Sequence, residues 1–335
     1  MQYEKHVYRI LIIGLLVVFS GVPAAAQEVD DVIRTETSLV QLNIGVVDKQ
    51  GRAVTSLTRN DFIIYEDGVK QSIQLFEPVD SPFSLVLLLD MSGSTINFRP
   101  QLKLASQRFL DALGPDDRVS VIKFDSEVKS MTGFTADRNK AAYAIQIADG
   151  KGETHFYKAL KYALQELEKE GKRRKAIVVL TDGLDTHLRN LDRATLTKAQ
   201  TDEEALATIK PNESADLNSV LASADRQGVT IYPLALPSGD PKRLPMPTPN
   251  IIGIYAAART RLQSLADRTG GRLNEINQLQ YMAQLYREVA ANLRTLYTVG
   301  YQAKSESQRG KWHEIKVEVA HSDLTARTKP GYYAR

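Results

Sequence analysis

No cysteine occurs in the 335 residues. Disulfides, thiolate metal sites and a lipid-modified cysteine are excluded together, so the chain depends on its core to hold itself together. Charge of one sign is also lacking: 43 Lys and Arg against 40 Asp and Glu leave a formal +3. That balance supplies no electrostatic footprint for nucleic acid. No internal repeat and no low-complexity tract is present. The apolar run near the N terminus, Ile10–Phe19, is about half the roughly 20 residues needed to span a bilayer.

Several enzyme signatures are missing as well. The chain has no Gly-x-Ser-x-Gly elbow, no His-Glu-x-x-His and no phosphate-binding loop. Ser92, two positions after Asp90, breaks the Asp-x-Asp pattern expected of aspartyl phosphatases. A Mg²⁺-dependent hydrolase or phosphoryl-transfer enzyme needs little beyond positioning and charge stabilisation, but here it would have no named nucleophile or base. The chain therefore reads as a non-enzyme.

What is there begins with an export signal over residues 1–26. Lys5 and Arg9 precede the apolar run, and "GVPAAA" with Ala24 and Ala26 follows it, which predicts cleavage after Ala26. An uncleaved anchor is the other reading, and the short apolar run weighs against it. The expected product is periplasmic or secreted, with no membrane span after cleavage.

Residues 27–80 read as an N-terminal β-segment, in which Asp67-Gly68 between two alternating runs predicts a tight hairpin. Residues 81–295 alternate strand and helix. "FSLVLLLD", "RVSVIKFDS", "KAIVVLTDG" and "VTIYPLAL" are buried strands, Arg99–Leu113 and "THFYKALKYALQELEKE" are helices, and a last amphipathic helix carries Met282, Leu285, Val289 and Leu293. This predicts an α/β domain with a doubly wound, mostly parallel sheet flanked by helices. A polar stretch, 187–218, with helical character near Leu191–Ile209, and a loop with five prolines, 237–249, follow strands at their carboxyl ends. Open α/β sheets keep their binding crevice there. Residues 296–335 return to β-structure and contain Trp312, Tyr332 and Tyr333, read as core or edge residues. Pairing of this segment with 36–80 would close a small β-sandwich-like domain, with the α/β domain inserted in it.

Two apolar strands end in aspartate, Asp90 and Asp182, and parallel strands would bring both to one edge. Ser92 and Ser94 follow Asp90 with Gly93 between them, and Thr154 opens a later helix. Two carboxylates with hydroxyls, all oxygen, suit Mg²⁺ foremost, or Mn²⁺ or Ca²⁺, rather than zinc. Taken singly, the same residues are ordinary turn and cap chemistry: Ser94 or Thr95 would cap the next helix and Thr154 its own. Asp185 reads as a rim acid, and His155 and His187 as rim residues beside the site.

"DMSGS" resembles the Asp-x-Ser-x-Ser signature of von Willebrand factor A domains, whose metal-ion-dependent adhesion site is completed by a later Thr and an Asp after a central strand. The resemblance maps those ligands onto Asp90, Ser92, Ser94, Thr154 and Asp182. "VVDKQGRAVTSLTRNDFIIYEDG", "GKWHEIKVEVA" and "KPGYYAR" are similar to an exported von Willebrand factor A-related family of Acidobacteria. What this implies is cation-dependent protein recognition or adhesion, with a partner Asp or Glu entering the metal's free position. A metal-stapled structural scaffold is the alternative.

Overall fold

The computed structural model describes residues 39–237, 246–276, 278–303 and 310–334. The expected export signal, residues 1–26, and most of the proline-rich loop lie outside them. The chain opens with β1 (Leu39–Val47), β2 (Phe62–Glu66), β3 (Val69–Gln71) and β4 (Ile73–Glu77). In β1, Val40, Leu42, Ile44 and Val46 are buried and the residues between them are not, the period of two of a half-covered strand. Asp67 and Gly68 turn β2 into β3 with φ of 48° and 78°, the positive values a tight hairpin turn demands.

The α/β part comprises β5 (Phe83–Asp90), α1 (Arg99–Asp111), β6 (Arg118–Phe124), β7 (Val128–Thr135), α2 (Arg138–Ile147), α3 (Phe156–Glu168), β8 (Arg174–Thr181), α4 (Thr186–Thr195), α5 (Asp202–Thr208), α6 (Ala215–Gln227), β9 (Val229–Ala235), α7 (Pro249–Thr269), β10 (Asn274–Glu275) and α8 (Met282–Leu293). Its sheet has the order β10-β9-β8-β5-β6-β7. Every neighbouring pair is parallel except the edge pair β6 and β7. Helices cover both faces, which is why β5, β8 and β9 are buried at every position. Leu85, Leu87 and Leu89 pack towards α1 and α8, whereas Val86 and Leu88 pack towards α3, α6 and α7.

The chain ends in β11 (Leu296–Gln302), β12 (Trp312–Val319), β13 (Thr325–Arg327) and β14 (Gly331–Tyr333). Strands from its two halves interleave in two sheets, ordered β13-β1-β11-β4 and β14-β12-β2-β3. Leu42, Ile44, Ile64, Tyr297, Tyr301 and Ile315 form part of the core they share. The α/β part leaves β4 and returns at β11, and these two strands are paired. Arg174, only 1% exposed, donates to the carbonyls of Pro78, Val79 and Ser81 on the way out and of Leu293 and Leu296 on the way back.

Tyr332 lies in the sandwich core and its hydroxyl donates to Glu66 at 3.1 Å. Trp312 and Tyr333 stack edge to face beneath the Arg268 guanidinium of α7. The stretch 187–218 is not one polar insertion. It forms α4, α5, a short 3₁₀ turn at Pro211–Glu213 and the start of α6. The reason is a satellite core in which Leu184, Leu196, Ala205 and Ile209 pack on Ile254, Ala257 and Ala258 of α7. Strand β7 and helices α2, α6 and α7 were not anticipated from the sequence, and α1 stops at Asp111 rather than Leu113.

Candidate metal centre

Strands β5 and β8 are adjacent and parallel, in a register that sets Leu89 against Leu180. Asp90 and Asp182 therefore reach the same carboxyl-end edge of the sheet, buried at 0% and 2% exposure. Asp90 accepts the Ser92 N–H at 3.0 Å and the Thr181 hydroxyl at 2.8 Å, one on each oxygen. Asp182 accepts the Leu184 N–H at 3.0 Å and the Ser94 hydroxyl. The hydroxyl oxygens of Ser92 and Ser94 lie 3.2 Å apart and link the two acids.

The loop after β5 is a 3₁₀ turn over Gly93–Phe98, and its neighbours hold it closely. The buried Thr95 hydroxyl donates to the carbonyls of Asp90 and Ser92, so Thr95 anchors its own loop instead of capping a helix N-terminus with that hydroxyl. Arg99 donates to the carbonyls of Met91, Ser92 and Gly150 and pairs with Asp149. Gly150 is required by close approach: a Cβ there would stand 2.2 Å from Asp125 Oδ2 and 2.8 Å from the Met91 carbonyl. Thr154, which caps no helix, exchanges bonds with Thr186: its N–H donates to the Thr186 hydroxyl and its carbonyl accepts the Thr186 N–H. The loops after β5, before α3 and after β8 are thus tied to one another. Between them opens a cleft of about 310 Å³ whose walls include Ser94, Gly152, Thr154, Thr186 and Arg189.

Burial and then the neighbouring Asp182 charge push the Asp90 carboxyl up to about 7, against the pull of its Ser92 and Thr181 hydrogen bonds. Burial also raises Asp182, opposed by Ser94, the Leu184 N–H, Arg259 and Arg189. Two acids held together out of water cannot both ionise without a counter-charge. A divalent cation supplies one, and the oxygen-only donor set fits Mg²⁺, Mn²⁺ or Ca²⁺. Among the described residues no cluster of three or more His, Asp or Glu is placed to hold a metal. The set at this edge is two acids completed by hydroxyls.

Asp185 is a correction to the sequence reading. It is buried at 8%, caps α4 by accepting from the N–H groups of His187 and Leu188, and also accepts the Tyr157 N–H of α3. It is a structural joint rather than a rim acid. His187 is exposed in the first turn of α4, and His155 Nε2 faces Glu153 at 3.4 Å. Sequence reasoning missed Thr181 and Arg99, and read Thr95 as a helix cap rather than a loop anchor. The single usable signal was Thr181 directly before Asp182 at the strand end.

Residues 85–184 match the model for the von Willebrand factor type A domain. An uncharacterized protein of Synechocystis sp. is 38% identical over 111 residues, covering 32% of this chain and 26% of that protein. The human voltage-dependent calcium channel subunit alpha-2/delta-2 is 29% identical over 123 residues, covering 33% of this chain and 11% of the subunit. The chain thus spans about a quarter or less of the length of these relatives. Among solved structures, a von Willebrand factor type A protein from Catenulispora acidiphila covers 87% of this chain and 72% of its own, at 13% identity and a TM-score of 0.47. Residues 85–184 of the chain are thus similar to the von Willebrand factor type A domain.

Proposed function

We propose that the chain is an exported module for divalent-cation-dependent protein recognition. Asp90, Ser92, Ser94, Thr154 and Asp182 hold Mg²⁺, with Mn²⁺ or Ca²⁺ as substitutes, and a partner's Asp or Glu completes the coordination. The observation that carries this reading is the buried acid pair, bridged by the Ser92 and Ser94 hydroxyls and opening through Ser94 and Thr154 into a polar cleft. The bound ion would supply a positive centre that two aspartates balance only in part, leaving attraction for a further carboxylate.

Two features favour recognition over the other readings. The loops are already joined by Arg99, Thr95 and the Gly93 to Gly152 hydrogen bond, so no ion is needed to staple them. Neither His155 nor His187 has a hydrogen bond to Ser92 or Ser94 among the described residues, so neither histidine is placed as a base for those hydroxyls. One relative is by name a channel subunit, which accords with an interaction role. EDTA is expected to release a captured partner protein, and a complex that survives chelation supports the scaffold reading instead.

A pH dependence follows from the Asp90 shift. Its folded value of about 7 lies above the ordinary 3.8, so the native state binds the extra proton. The associated stability is full below about pH 4 and is lost as pH rises towards about 7, by up to ~1.4 kcal/mol per pH unit. In EDTA the thermal midpoint should therefore fall between about pH 5 and 8, and Mg²⁺ should restore it at the upper end, where no proton competes. A midpoint that is flat with pH and indifferent to Mg²⁺ would count against the site.

A further inference from the structure

Arg189 lies one turn into α4, with its N–H bonded to the Asp185 carbonyl at 2.8 Å. Its side chain forms part of the cleft wall together with Ser94, Thr154 and Thr186. The Nε atom is buried with no hydrogen-bond partner, and among the described residues no acid pairs with the guanidinium. Other arginines close by each have an acid partner, although Arg99 and Arg261 likewise keep a buried Nε without a hydrogen bond. Arg99 pairs with Asp149, Arg259 with Glu275, and Arg261 grips Asp192 through two bonds of 2.6 and 2.8 Å. That last pair is buried and fixes α4 on α7, so Arg189 is carried on an anchored helix.

What sets Arg189 apart is its place in the cleft wall without an ion-pair partner among the described residues, and a guanidinium fork matches the two oxygens of a carboxylate. We propose that Arg189 is the specificity-determining residue of the cleft: one oxygen of the partner's carboxylate goes to the cation and the other to the Arg189 guanidinium. This rests on the cation reading above. It confines the incoming ligand to anionic, planar carboxylates and disfavours neutral oxygen donors such as amides, which leave the guanidinium unpaired.

The test uses Mn²⁺-loaded protein and acetate as the probe, with water-proton relaxation reporting displacement of Mn²⁺-bound water and acetamide as the neutral control. Wild type should bind acetate and not acetamide. In Arg189→Gln acetate affinity should fall about tenfold, while Mn²⁺ affinity holds or rises because a positive charge near Asp182 is gone. Arg189→Lys, which keeps charge but not the fork, should recover part of the loss. Unchanged acetate affinity in Arg189→Gln overturns the proposal, as does a parallel fall of Mn²⁺ and acetate binding, which marks a merely structural role. Absence of Mn²⁺ binding in wild type overturns the cation reading and this proposal with it, and the metal titration alone separates that failure from the others.

Discussion

Replacing Asp90 by asparagine is expected to raise the thermal midpoint of the metal-free protein at about pH 8 while abolishing its response to Mg²⁺. At that pH the wild-type carboxylate is ionised, fully buried and beside Asp182. Asparagine keeps the shape and removes the charge. Its oxygen can accept the Ser92 N–H, and the Thr181 hydroxyl can reverse its role and accept from the new NH₂ group. Removing a buried, uncompensated charge should gain about 1–3 kcal/mol. Mg²⁺ affinity should fall by about two orders of magnitude or more, since a ligand with formal charge is lost. Asp90→Ala should lose the ion as well without unfolding, but without the stability gain, because the Ser92 N–H and the Thr181 O–H are left without an acceptor at about 1–3 kcal/mol each. Thermal scans of the three proteins with and without Mg²⁺ check this. An asparagine variant that is less stable in EDTA and still shifts with Mg²⁺ would contradict it.

The second large effect lies at the other end of the same sheet. Arg174→Met should cost about 3–5 kcal/mol in urea unfolding. The guanidinium, stacked over the Phe83 ring at 4.1 Å, serves five carbonyls on the two crossings between the sandwich and the α/β part. Methionine fills part of the volume and satisfies none of them. Burial lowers the Arg174 pKa to about 10, still charged at neutral pH, so the hydrogen bonds are charge-assisted and their loss is costly. Arg174 begins β8 and Asp182 follows its end. With roughly 3.3 Å per residue they are more than about 20 Å apart. Cation affinity should accordingly survive in the folded variant, and an unchanged urea midpoint would dismiss the clamp.

Those two ends of β8 also show what the sequence discloses. "FSLVLLLD" and "KAIVVLTDG" announce strands covered on both faces, and Asp67-Gly68 announces its hairpin through local backbone demands. Asp90, Ser92 and Ser94 are close in the chain, so their convergence is nearly a local property. Thr154 and Asp182 are placed by neighbouring elements: Asp182 is legible as the acid ending a second apolar strand and Thr154 as a hydroxyl at a helix start, and the resemblance joined them to one site. Helix α6 carried a readable signal, with Ser214 capping it, Leu217, Val220, Leu221 and Ala224 on one face, and Gly228 ending it in the left-handed region at φ 63°. Helix α7 also carries a readable face, Ile254, Ala257, Ala258, Leu262, Leu265 and Ala266, in which half the residues are alanine, and a Cβ at Gly253 would stand 3.1 Å from the Ala205 Cβ of α5. Arg174 acquires its role only from partners distant in sequence, as does Asp185 in its bond to the Tyr157 N–H. No local pattern distinguishes Arg174 among 43 basic residues until the carbonyls of Ser81 and Leu296 are beside it.

The most direct test of the cation site is calorimetric titration of Mg²⁺ and Mn²⁺ into residues 27–335, alongside a variant with both Asp90 and Asp182 changed to asparagine. The account predicts one ion per chain in the first protein and none in the second, with both folded. No binding in the first, or equal binding in the two, would contradict it.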